Sequence, residues 1–314
     1  GTARSMGTFL NCCGEGVWGG AVLPCDFCPQ DRNSPHVCPD AVARMDTSKR
    51  SLENESLLTQ IRKIHQKSHQ RYGSPRITEQ LKREEKVASR PRVARLMKGA
   101  NIRSKGSKKY KQTTDSNHEL TISPNLLKRQ FETSRLGQVW VSDISYLWTD
   151  QGWGYLTVII DLADRQVIGW AVSEEMTTEQ TVLAAWKMAV KNRPPESGLI
   201  FHSDRGSQYA TTAFRQHLVK HQVCQSMSRK GDCWDKAVAE FFFKTLKAEI
   251  GYQVRFPSLL LAQLTIFEFI EIWYNRQRIH SSIGYKTPVE MQQYLQNLFN
   301  NKAAFLYRTL FESL

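Results

Sequence analysis

The sequence predicts a mixed α/β domain preceded by a small, basic, all-helical module. Three observations predict it. Strand-like runs alternate with helical patterns between residues 138 and 221, apolar residues recur at helical spacing between 52 and 99, and the excess of positive charge is confined to residues 49–111. The 314 residues carry a net charge of +13 and are 40% apolar, enough to bury a core. Residues 49–111 hold 19 Lys/Arg against 5 Asp/Glu, whereas 112–314 hold 21 against 20 and 1–48 hold 3 against 5. Such a concentration points to a polyanion, because Lys and Arg at phosphates release condensed counterions; a well-solvated helical face is what charge alone leaves open. The most apolar stretch, Ser258 to Trp273, is interrupted by Gln263, Glu268 and Glu271. That pattern excludes a transmembrane helix, and Glu15 with the glycines from Gly14 to Gly20 breaks any signal-peptide core. These features read as those of an intracellular protein.

Residues 1–48 hold five of the seven cysteines, are rich in Gly and Pro, and show neither hydrophobic period. Cys25, Cys28, His36 and Cys38 are zinc-ligating residue types, but His-x-Cys is tighter than the usual second ligand pair. The segment reads as an extension without a fold of its own.

The basic module follows at 49–111. Leu57, Leu58, Ile61 and Ile64 predict a first helix that ends at Tyr72-Gly73. Ser74-Pro75, as N-cap and first helical residue, starts a second helix with Ile77 and Leu81 on one face. Ser89 caps a third, which turns Val93, Leu96 and Met97 inward and stops at Gly99. The opposite face holds Arg90, Arg92, Arg95 and Lys98, an arrangement that suits a helix-turn-helix entering a major groove. Residues 112–135 read as a linker.

The catalytic core is expected at 136–256. Strands over Gln138–Leu147, Tyr155–Leu162 and Gln166–Ser173 suggest an antiparallel meander, followed by a helix from Thr178 to Lys191. A buried-looking strand, Leu199-Ile200-Phe201, then leads into His202-Ser203-Asp204, and another helix runs from Thr212 to His221. Asp143 sits inside the first strand among Val139, Val141 and Tyr146, and Asp204 sits at the exit of the fourth. A buried carboxylate is costly unless a cation or a metal ion meets it. Glu240 is the third candidate, 35 residues beyond Asp204, on a helix that brings Lys247 to nearly the same face two turns later. Three hard oxygen ligands suit Mg²⁺, and two such ions about 3.5–4 Å apart activate an attacking hydroxyl and stabilise the leaving oxygen. Residues 257–314 read as a helical tail.

Four ordered blocks carry a family resemblance. They are Trp140-Val141-Ser142-Asp143-Ile144-Ser145-Tyr146, His202 through Tyr209, Ser228 through Phe243, and Tyr274 through Tyr285 with Thr287-Pro288. With Tyr72-Gly73 to Lys105, the chain over roughly 50–295 resembles the insertion-sequence-three family of bacterial transposases, specifically its OrfB product with a retroviral-integrase-type core. The resemblance implies an RNase H-like mixed sheet flanked by helices, with Asp143, Asp204 and Glu240 as a DDE triad binding two Mg²⁺, for which Mn²⁺ substitutes. It further implies nicking of transposon ends to expose a 3′-hydroxyl, strand transfer, a homo-multimer on double-stranded DNA, and an OrfA-type partner. Lys247 matches the family's basic residue seven after the glutamate. Arg205, Gln208 and Tyr209 border Asp204, where they either contact phosphate or support the strand exit. Arg278 and His280 either contact DNA or pack against the core. Lys236 and Phe241 depart from the family's usual Asn and Ser. A non-catalytic DNA-binding remnant is the alternative reading; a tyrosine recombinase finds His202-x-x-Arg205 here, but Tyr209 follows too closely and the acids would go unexplained.

Overall fold

The computed structural model describes residues 49–105, 120–128, 133–229, 237–250 and 255–311. Residues 1–48, with the possible zinc ligands Cys25, Cys28, His36 and Cys38, lie outside the described residues, as does Lys236. No described helix is long and apolar enough to cross a membrane.

The first helices are α1 (Lys49–Lys67), α2 (Ser74–Arg83) and α3 (Arg90–Gly99). Ile61, Ile64, Ile77, Leu81, Val93 and Met97 bury their inner faces, so the apolar spacing in the sequence becomes a small shared core. Ser89 caps α3 as expected, its hydroxyl accepting from the Arg92 amide. Two terminal details differ. The N-cap of α2 is Gly73, so Ser74 is already helical and Pro75 follows it; Pro lacks an N–H and is tolerated throughout the first turn. The left-handed residue after α3 is Asn101 (φ 55°), not Gly99, because an Asn side chain tolerates that conformation.

The sheet contains β1 (Val139–Thr149), β2 (Gly152–Asp161), β3 (Val167–Ser173), β4 (Ile200–Ser203) and β5 (Cys224–Met227), in the spatial order β3-β2-β1-β4-β5. The first three form the expected antiparallel meander, while β4 pairs parallel with β1 and β5 parallel with β4. β5 has no counterpart in the sequence reading. Its four residues, Cys-Gln-Ser-Met, show no apolar alternation, and it is held at the sheet edge partly by Ser226 Oγ at 2.9 Å from His202 Nδ1.

Alternation along β1 divides the core in two. Val139, Val141 and Leu147 pack with the helix α7 (Ala237–Ile250) through Ala239, Phe242, Phe243 and Leu246. Trp140 packs on the other side with Trp186, Phe201 and Phe214. That second layer comes from α4 (Ala184–Asn192), α5 (Ser207–Ala210) and α6 (Thr212–Lys220). The helix expected from Thr178 begins as a π-helical turn, Glu179–Leu183, where the Thr181 hydroxyl also donates to the Thr177 carbonyl and so competes for that acceptor.

The C-terminal region is helical as expected: α8 (Leu259–Phe267), a π-helical segment Glu268–Tyr274 and α9 (Pro288–Phe311). The first module packs on it directly. Tyr72 Oη donates to the Gln277 carbonyl at 3.3 Å and accepts from the Ile279 amide at 3.1 Å, and Arg83 forms a bidentate pair with Glu290.

Candidate active site

Strand pairing brings the first two acids together. The β1–β4 register aligns Val139 with Ile200 and Val141 with His202, so two further residues along each strand set Asp143 beside Asp204. Both belong to the alternation that faces α7. Between the strand ends, Tyr209 is fully buried with its hydroxyl 2.8 Å from Ser142 Oγ. Burial holds that hydroxyl well above the usual tyrosine range, and the charges of Asp204 and then Asp143 raise it further.

The turn after β4 is shaped by Asp204 itself. Its Oδ1 accepts from the Gly206 amide at 2.8 Å, and a Cβ at Gly206 would lie 2.9 Å from that oxygen. Only glycine lets the backbone close so tightly on the carboxylate.

The helix α7 supplies the rest. Glu240 lies in its first turn, and Ala239, Phe242, Phe243 and Leu246 fasten the helix against β1. Lys247 lies seven residues on, about 10 Å along the axis and nearly on the same face as Glu240. Burial lowers the Lys247 ammonium, and Asp143 pulls it back up, so the cation faces the strand carboxylate. Asp143, Asp204 and Glu240 are all carboxylates, the oxygen type a hard divalent cation takes. Among the described residues no group of three His, Cys, Asp or Glu side chains is placed to hold a metal ion.

The remaining expected residues divide. Arg90, Arg95 and Lys98 are exposed on α3, whereas Arg92 is half-buried and donates to Asn54 Oδ1 at 2.9 Å. Arg205 Nε donates to the Ser228 carbonyl at 2.8 Å and Gln208 Nε2 to the Met176 carbonyl at 3.1 Å, so both brace the strand exit. Tyr209 cannot meet DNA from its buried position, which also removes the nucleophile that a tyrosine recombinase needs. Arg278 and His280, at 1% and 4% exposure, pack inside: Arg278 Nε meets Glu249 Oε1 at 3.0 Å, and its guanidinium contacts the His280 ring. Of the two alternatives for this pair, packing against the core is the one realised, because an exposed DNA contact would take Arg278 away from the buried Glu249 carboxylate. Ser142 and Glu249 escaped the sequence reading. The only signals were that Ser142 precedes Asp143 within its block and that Glu249 lies on the same helix as Glu240.

Comparison with known proteins adds to this geometry. Residues 51–110 match the HTH-like domain family, and residues 133–233 and 221–288 match two integrase core domain families. The chain is 39% identical to the insertion element IS600 uncharacterized 31 kDa protein of Shigella sonnei, over 79% of this chain and 91% of that protein. It is also 39% identical to transposase InsF for insertion sequence IS3A of Escherichia coli (strain K12), over 72% of this chain and 78% of that protein. Among solved structures it is similar to the simian T-cell lymphotropic virus intasome in complex with PP2A regulatory subunit B56 gamma, at 13% identity and a TM-score of 0.43 over 73% of each chain. That last likeness is too slight to weigh.

Proposed function

Because the chain belongs to the insertion-sequence-three family of transposases, we propose that it nicks the ends of its own element and transfers the exposed 3′-hydroxyl to another strand, with Asp143, Asp204 and Glu240 as the catalytic residues. The observation that carries this reading is the β1–β4 register, which sets Asp143 beside Asp204 on the side of the sheet that α7 covers. Asp143 and Asp204 would hold the two Mg²⁺ ions together with Glu240. When bound, the ions lower the pKa of the attacking hydroxyl or water and neutralise the leaving oxygen. Mn²⁺ would substitute. Lys247 meets a substrate phosphate close to Asp143, as a point charge reaching from α7. The Asp204–Gly206 turn fixes the Asp204 rotamer before substrate arrives, and the buried Tyr209–Ser142 pair keeps the strand ends apart from the second core layer.

The segments take matching roles. Residues 49–111 bind DNA through Arg90, Arg95 and Lys98, 112–135 link, 136–256 react, and 257–314 pack the first module onto the core. An OrfA-type partner and a homo-multimer on DNA complete the assembly.

The test is a labelled duplex carrying the element's ends, incubated in Mg²⁺ and in EDTA beside Glu240→Gln. Expected are 3′-end nicking and joining in Mg²⁺ alone, lost in the variant. Binding without nicking under every condition would leave a DNA-binding remnant, and nicking in EDTA would refute the two-ion mechanism.

A further inference from the structure

The β1–β2 hairpin carries aromatic rings that neither core layer nor the proposed reaction uses. Its register sets Tyr146 opposite Tyr155 and Trp148 opposite Trp153, all on one face. Ring centroids are 5.3 Å apart for Tyr146–Tyr155, 5.7 Å for Tyr146–Trp153 and 4.4 Å for Trp148–Trp153. The ladder lies on the Trp140 face of β1, opposite the face that carries Asp143, and runs outward. Gln208, in the turn after Asp204, donates to the Met176 carbonyl, and Tyr146 Oη lies 3.9 Å from the Met176 sulfur. At the outer end Trp148 is 44% exposed and Trp153 55%. Trp148 lies five residues past Asp143, about 17 Å along the strand.

A structural account exists, since cross-strand aromatic pairs stabilise hairpins. It explains the pairing and leaves the exposure unexplained, because Thr or Val would hold the same register without wetting two indoles. The surroundings point to an anion-bearing aromatic ligand. The Arg255 guanidinium lies 5.9 Å from the Trp148 ring centroid and pairs with Asp150 at the hairpin turn, so a cation borders the exposed rings. Aromatic faces rimmed by a cation take up the bases and phosphates of unpaired nucleic acid with little regard to sequence.

We infer that Trp148 and Trp153 form a stacking platform for an unpaired base of the DNA substrate, with Arg255 toward its phosphate. This rests on the transposase reading above and adds a site to it. A DNA end held at Asp143 and Asp204 frays where its strands separate, and a freed strand that passes round the sheet to its other face meets the ladder at Met176, which Gln208 of the Asp204 turn also contacts. The geometry favours DNA over a second protein copy because the patch is two indoles wide, far short of the buried area of a stable protein interface.

The experiment compares a blunt duplex with one bearing a three-nucleotide single-stranded overhang that contains 2-aminopurine, using the full chain without Mg²⁺. The wild-type protein should quench the 2-aminopurine on binding and prefer the overhang duplex by about tenfold. Trp153→Ala should lose the quench and the preference, and Trp153→Phe should keep most of both. Wild-type protein that shows neither quench nor preference overturns the platform, whatever the variants do. So does Trp153→Ala with an unchanged preference, and so does a Trp153→Ala that converts a dimer to a monomer while binding both duplexes like wild type. Nicking of the blunt duplex in Mg²⁺ is measured alongside. Intact nicking without an overhang preference removes the platform alone, whereas absence of both binding and nicking removes the transposase reading with it.

Discussion

Glu249 is the residue on which the most buried charge converges. Its carboxylate accepts from Arg278 Nε at 3.0 Å and from Trp273 Nε1 at 2.8 Å, and Arg71 Nε lies 3.9 Å away. Burial lowers both Arg71 and Arg76, and Glu249 is the acid that offsets it in each case. Removing one partner of a buried pair strands the other charge. Glu249→Gln is therefore expected to cost roughly 3–5 kcal/mol and to lower the thermal midpoint by about 10 °C. A melt within two degrees of wild type would refute the account. The same neighbours hold His280 neutral, since burial and then Arg278, Arg76 and Arg165 push its imidazole well below the usual range.

Lys247 makes a different prediction at the same scale. Its ammonium is half-buried and drawn to Asp143, so replacing it removes the proposed phosphate contact without opening a cavity in the core. Lys247→Gln should weaken binding of the element's ends about tenfold and reduce the salt slope of log K by about 1, with folding unchanged. Fluorescence anisotropy across a salt series measures both numbers, and an unaltered slope would exclude the contact.

Among the elements, the turn from β2 to β3 holds two buried acids, Asp161 and Asp164, beside the cations Arg193 and Arg165. Arg193 donates to Asp161 at 2.6 Å and to Asp164 at 2.7 Å. Burial pushes the Asp164 carboxyl from 3.8 up to about 6; Arg193 opposes the rise and Asp161 adds to it. The folded state thus holds this proton more tightly than the unfolded chain does. The resulting stability is present below about pH 4 and is lost as pH rises through 6, at most about 3 kcal/mol. Asp164→Asn, which keeps an acceptor for Arg193, should be relatively more stable at pH 7 than at pH 4.5. Urea midpoints at the two pH values decide, and a constant difference between variant and wild type would refute the shift.

How legible an element was follows from where its pattern lay. The α1 to α3 helices and the first three strands announced themselves because one face is buried and the other wet, so periodicity survives in the residues. β5 and the two π-helical stretches did not, because a four-residue polar edge strand and a local change of hydrogen-bond partner leave no period to read. The candidate site divided in the same way. Asp143 and Asp204 stood out as acids in apolar strands, whereas Arg278, Tyr209 and Glu249 are polar residues whose burial depends on packing between distant segments.

At the scale of the whole molecule the charge is placed as function requires. The excess of 14 positive charges lies in residues 49–111, and the remainder of the chain is nearly balanced. The module is nevertheless not a tethered bead, because Tyr72 bonds to Gln277 and Ile279, and Arg83 to Glu290 and the Tyr285 carbonyl. The helix α3 keeps Arg90, Arg95 and Lys98 in solvent while its other face is buried, so these three cations face outward on a scaffold joined to the C-terminal helical region. Reversing all three to Glu should leave the melt within a degree or two, since exposed charges contribute little to stability. It should flatten the salt dependence of DNA binding by about three units of slope, because each lost phosphate contact removes about 0.9. If the loss falls equally on the element's ends and on unrelated duplex, the three contact phosphates; a loss confined to the ends would make α3 a base-reading helix. An unchanged slope would move the DNA-binding face away from α3 altogether.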